Sequence, residues 1–140
     1  MKKTLFLALV SIFSATAFAQ ITVPKVSTPA ATTVGKFIMP PAIGDITKTT
    51  GGIVEALTGQ LALPATQKPA LTSAISGFLG SKSGIMDLAG KNPADYLNKF
   101  NPLQSGLFSK IKTIIGAAKF ASFLKLKPAN AGNVLSNLFY

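Results

Sequence analysis

Beyond residue 19, Lys, Pro or Gly interrupts every apolar stretch of this chain. That punctuation constrains the fold more than any other feature. A membrane-spanning helix needs ~20 consecutive apolar residues, and no segment after residue 19 supplies them. No run alternates cleanly between apolar and polar residues, so strands lack their usual signature. What fits is a set of short helices. Residues 45–140 are expected to be mainly α, a small bundle of four to six short helices around one core.

The helix boundaries are read from capping chemistry. Asp45 suits an N-cap, followed by Ile46, Ile53, Leu57 and Leu61 at roughly helical spacing, with Gly51-Gly52 weakening the first half. Thr66 suits the next cap, with Pro69 tolerated in the first turn. Leu71, Ala74, Ile75, Phe78 and Leu79 then form one face, and Gly80 can end the helix. A short helix over 85–89 is expected to stop at Gly90. Asn92-Pro93-Ala94-Asp95 and Asn101-Pro102-Leu103-Gln104 each place Asn at the cap, Pro at N1 and an acceptor-bearing side chain at N3. Both resemble capping boxes. They are expected to bracket a helix holding Tyr96, Leu97 and Phe100, and to start the longest helix, from residue 103 to about 126, closed by Lys127-Pro128. A last helix is expected over 130–139. The Leu-x-Leu turns at 61–63 and 124–126, each followed by an Ile/Leu-Ser step, hint at a duplicated helix–turn–helix unit.

The first nineteen residues form a different kind of segment. Lys2 and Lys3 precede an apolar stretch over 4–18, and Ala17-Phe18-Ala19 is a small-x-small cleavage pattern. This is the layout of a secretory signal peptide, so residues 1–19 are expected to leave by cleavage between Ala19 and Gln20. The protein is then exported, to the periplasm or beyond. The remaining chain carries twelve lysines against Asp45, Glu55, Asp87 and Asp95, a net charge of +8. Residues 20–44, with Pro24, Pro29, Pro40 and Pro41, are expected to be an extended or disordered tail. Phe37, Ile38 and Met39 can still lie along the domain surface.

Composition excludes much chemistry. The chain has no Cys and no His, and all fourteen basic residues are Lys. Without Cys there are no disulfides and no thiolate sites, so packing alone must hold the fold. Without His there is no imidazole base and no zinc site of the usual kind. Without Arg there are no bidentate forks for phosphate or guanine. Asp87 and Asp95 share no helical face across Gly90 and Pro93. Ser81-Lys82 and Ser109-Lys110 are adjacent, and adjacent helical residues point about 100° apart, which argues against Ser–Lys dyads. No cofactor and no enzymatic activity are expected. Lys alone supports salt-sensitive phosphate binding and no base readout, so specific nucleic-acid binding is not expected either.

The charge looks organised in one place. Residues 106–127 hold Lys110, Lys112, Lys119, Lys125 and Lys127 and no carboxylate. Leu107, Ile111, Ile114, Ala118 and Ala121 make one stripe, broadened by Phe108, Ile115, Phe120 and Phe123. Two readings follow. The stripe is either buried in the core, with solvated lysines outside, or it lies in a membrane interface as a cationic amphipathic helix. The five lysines are the candidate contacts to an anionic surface.

Leu61-x-Leu63-Pro64-x-x-Gln67-Lys68 resembles the LTxxQ motif of small periplasmic helical stress chaperones, with Pro64 where the motif has Thr. That resemblance implies a binder of unfolded chains. More broadly, the chain is similar to uncharacterised small exported helical proteins of double-membrane bacteria. The export signal, the Leu-x-Leu…Gln-Lys turn and the closing segment over 133–140 carry that similarity. It implies an envelope compartment and an all-helical fold. The expected function is a non-enzymatic, exported helical protein with a binding or structural role through a Lys-rich surface. Its partners would be anionic lipid headgroups, an envelope polymer or an acidic protein. The alternatives are a chaperone-like binder and a membrane-active protein acting through residues 106–127.

Overall fold

The structure, a computed structural model, describes residues 36–140. The expected export signal, its expected cleavage site and residues 20–35 lie outside the described residues. The described chain is mainly helical, as the punctuation implies. Its helices are α1 (Ile46–Leu61), α2 (Lys68–Ser83), α3 (Met86–Lys91), α4 (Pro93–Ile115), α5 (Ala117–Lys125) and α6 (Ser136–Phe139). A single 3-10 turn, Ala65–Gln67, leads into α2. Helix α2 packs against α1 and α4, α3 against α4, and α5 against both α4 and α1.

The first capping assignments hold. Lys48 N donates to Asp45 Oδ1 at 2.7 Å, which starts α1. Asp95 N donates to Asn92 Oδ1 at 3.2 Å, with Pro93 at the helix start. These bonds occupy amides that a helix start leaves without a partner. Thr66 does not cap α2. It sits in the 3-10 turn, and α2 has no side-chain cap. Helix α2 also runs past Gly80 to Ser83, because Lys82 is buried and extends the inner face by one more turn.

The largest departure concerns the second Asn-Pro signature. Pro102 lies inside α4 and starts no new helix. Its missing N–H and its ring ordinarily disrupt a helix interior by about 3 kcal/mol. Packing outweighs that here, since Tyr96, Phe100, Leu107, Ile111 and Ile115 are all buried along one continuous stripe of α4. Gln104 closes no capping box. Its Nε2 donates to Leu138 O at 2.8 Å and ties α4 to the C-terminal segment. The break comes instead at Gly116, whose φ of 82° is a conformation that suits glycine. The single helix expected over 103–126 is therefore two helices. Ala118 and Ala121, expected on the apolar stripe, are exposed because the turn at Gly116 resets its phase.

The expected helix over 130–139 shrinks to α6. Residues 130–135 form turns held by side chains. Ser136 Oγ donates to Asn130 O at 2.8 Å, and Leu135 N donates to Asn133 Oδ1 at 2.9 Å. Asn and Ser compete for backbone groups in this way and favour turns over helix. The Leu-x-Leu echo is thus followed by a 16-residue helix in one case and a four-residue helix in the other.

The core unites all the helices. It contains Ile53, Leu57, Leu71, Ile75, Leu79, Tyr96, Phe100, Ile111, Phe123 and Leu138, each at most 2 % exposed. An aromatic cluster joins α4, α5 and α6. Phe108 meets Phe123 edge-on at 5.2 Å, and Phe123 stacks on Phe139 at 5.4 Å. The compact unit begins at Lys36, ahead of the boundary expected at 45. Residues 36–44 have no helix, as their prolines imply, yet Ile43 is buried and Phe37 meets Tyr96 edge-on at 6.2 Å. Among the described residues, no helix is long and apolar enough to cross a membrane.

Candidate functional site: the lysines of residues 106–127

The structure separates the five lysines of residues 106–127 into different roles. Lys110, Lys112, Lys125 and Lys127 are exposed. Lys119 is half-buried, and its Nζ donates to Leu61 O and Ala62 O, both at 2.8 Å. Those carbonyls end α1, where backbone acceptors lack partners and the helix dipole favours a cation. Ala62 there takes φ 47°, a left-handed cap conformation usually left to glycine. Lys119 is therefore a cap for α1, and sequence reasoning missed this because Lys119 and Leu61 are 58 positions apart.

The remaining four do not form one flat patch. Lys110 and Lys112 are two steps apart on α4, so they point to different sides. Lys110 overlooks the α2–α4 interface. Lys127 Nζ lies 5.2 Å from the Tyr140 ring centroid, a cation–π contact, and Tyr140 donates its hydroxyl to Pro128 O. What unites the four is electrostatic: no carboxylate side chain occurs between residues 96 and 140. The four carboxylates lie elsewhere. Asp45 and Asp95 act at helix starts, Asp87 meets Lys91 at 3.7 Å in an exposed pair, and Glu55 is exposed on α1.

The apolar stripe of residues 106–127 is spent inside the domain. Leu107, Ile111, Ile115 and Phe123 are buried, while Phe108, Ile114 and Phe120 are partly buried against the core. The folded chain therefore leaves little of that stripe to enter a membrane.

The adjacent Ser–Lys pairs do not assemble. Ser81 Oγ donates to Gly77 O at 3.1 Å and Ser109 Oγ to Ser105 O at 3.0 Å, each one helical turn back. Among the described residues no three or more His, Cys, Asp or Glu side chains converge.

Lys82 is a buried polar residue that sequence reasoning missed. It is fully buried, its Nζ donates to Asn137 O at 2.8 Å, and it lies 5.5 Å from the Phe100 ring centroid. Burial lowers its pKa from 10.5 to about 7. Lys82 and Gln104 together satisfy two carbonyls of the short C-terminal helix inside the core. The inner periodicity of α2, with Leu71, Ile75, Phe78 and Leu79 preceding Lys82, was the available signal. Tyr96 is also buried, and burial pushes its hydroxyl pKa up.

Compared with protein families, with curated proteins and with solved structures, the chain matches none of them.

Proposed function

We propose that this is an exported, non-enzymatic helical protein of the cell envelope that binds anionic surfaces, phospholipid headgroups first among them. One observation carries the reading. Lys110, Lys112, Lys125 and Lys127 stand exposed on a stretch of 44 residues, 97–140, without a carboxylate side chain. Each exposed lysine that comes near a membrane contributes about 1 kcal/mol where anionic lipid gives a negative surface potential. Burial of the apolar stripe favours peripheral contact over insertion. Export rests on the N-terminal signal pattern of residues 1–19.

The test is co-sedimentation of the purified protein with vesicles of phosphatidylglycerol or of phosphatidylcholine. Binding to the anionic vesicles at low salt, lost at several hundred millimolar salt, is the expected result. Equal binding to both lipids, or none to either, refutes it.

A further inference from the structure

The C-terminal segment, residues 128–140, is buried where it is shortest in structure. Leu135, Ser136, Asn137, Leu138 and Phe139 are all buried, yet α6 has only four residues. A helix that short has no stability of its own in water and keeps its place through the helices around it. The ties to those helices are few. Two hydrogen bonds leave the segment, donated by Lys82 Nζ to Asn137 O and by Gln104 Nε2 to Leu138 O, both at 2.8 Å. Ser136 Oγ to Asn130 O, Leu138 N to Leu135 O and Tyr140 N to Ser136 O stay inside it. Apolar contacts supply the rest, with Phe139 against Phe108 and Phe123. Residues 127–134, which lead into the buried part, contain no helix and are mostly exposed. The segment can therefore leave as a unit without breaking the backbone hydrogen bonds of α1–α5. Terminal units of this kind open at lower cost than the whole fold.

Beneath the segment lies a group able to carry charge. Lys82 is fully buried near the end of α2, and its amine meets Asn137 O and, at 5.5 Å, the Phe100 ring centroid. No carboxylate pairs with it; among the described residues the ion pair is Asp87–Lys91. Glu55 on α1, Asp87 and Lys91 on α3, and Asp95 and Lys99 on α4 are exposed. Tyr96 on α4 is buried and keeps its proton, because burial raises its pKa. Tyr140 donates its hydroxyl to Pro128 O, and Lys119 is bonded at the end of α1. A protonated Lys82 thus has one carbonyl and one ring for partners, too little to offset its lost hydration. Lifting Asn137 away uncovers the amine from one side while α2 and α4 stay packed.

We propose that residues 128–140 are a proton-controlled plug: protonation of Lys82 loosens the segment from the helices, deprotonation locks it in, and α1–α5 stay folded throughout. Burial holds the docked amine at a pKa of about 7, against 10.5 in water. Between those values the open form binds the proton and the docked form does not. Opening therefore increases as pH falls through this window and levels off below about pH 7. Linkage gives about a tenfold rise in the open fraction from pH 8 to pH 6.

The test is thiol labelling of the full chain, which has no cysteine of its own. Leu138→Cys and Leu71→Cys place a thiol at fully buried positions on the segment and on α2. Each labelling rate is divided by that of the same sequence as a free peptide at the same pH, which cancels thiol ionisation and leaves the opening equilibrium. L138C should open at least tenfold more than its own urea-measured unfolding constant allows, and L71C no more than its constant allows. L138C opening should rise about tenfold from pH 8 to pH 6, and Lys82→Met added to L138C should abolish that rise. The wild-type chain gives the same comparison without a core substitution. Its hydrogen-exchange protection over residues 135–139, corrected for intrinsic rates, should lie below that over 71–79 and drop about tenfold from pH 8 to pH 6. Opening of residues 135–139 only together with the whole fold overturns the proposal. So does a segment opening that is flat with pH, or one whose pH dependence survives K82M.

Discussion

Replacing Lys82 with Met should flatten the dependence of stability on pH. In the folded protein Lys82 has a pKa of about 7, against 10.5 for an ordinary lysine. Between those values the unfolded chain binds the proton and the folded chain does not. Stability therefore rises with pH through this window and is lowest at or below pH 7. Linkage over the two values gives a gain of about 3 kcal/mol from pH 6 to pH 9.5. The interval stops short of pH 10, above which tyrosine titration acts in the opposite direction: Tyr96, held protonated by burial, makes the fold lose stability there. In K82M the gain should disappear. Methionine keeps an unbranched chain of similar length beside Phe100 but leaves Asn137 O without its donor, at about 1–3 kcal/mol. At pH 6 the removed cost of a buried charge exceeds that loss, so K82M should be the more stable protein there. Near pH 9.5 it should be equal or weaker. Urea unfolding of both proteins from pH 6 to 9.5 checks this. A flat wild-type profile, or a K82M profile with the wild-type slope, would refute the reasoning.

Three further substitutions test the local geometry, each by urea or thermal unfolding. Ala62→Gly relieves a left-handed alanine at the end of α1 and should stabilise by about 1 kcal/mol. Lys119→Met removes the donor to Leu61 O and Ala62 O and should cost about 1–2 kcal/mol, so a neutral result would show the cap to be idle. Gly116→Ala has space for its Cβ but must adopt φ 82°, and it should cost at least about 1 kcal/mol.

The sequence made the fold class and the first helix starts legible because their causes are local. Asp45 and Asn92 cap helices through amides three residues away. The misread positions are those where distant partners decide. Asn101-Pro102 has every local mark of a helix start, yet the buried stripe from Tyr96 to Ile115 carries the helix through it, and Gln104 serves the C-terminal segment 34 positions away. Among the candidate lysines, spacing identified the charged segment but could not sort it. Lys119 is drawn to the end of α1 by carbonyls that sequence pattern does not reveal, while Lys110, Lys112, Lys125 and Lys127 stay exposed. Lys82 was hidden for a related reason: a lysine is ordinarily solvated, and only the three-dimensional meeting of α2 with the C-terminal segment gives its amine an acceptor.

The most direct measurement of anionic-surface binding compares two variants of equal charge. One carries Gln at Lys110, Lys112, Lys125 and Lys127. The other carries Gln at Lys36, Lys48, Lys68 and Lys91, which are also exposed but lie outside residues 97–140. In low-salt co-sedimentation with phosphatidylglycerol vesicles, the first should lose most of its binding and the second should keep most of it. Equal losses in the two variants would show that net charge alone drives the contact and would contradict a site within residues 106–127.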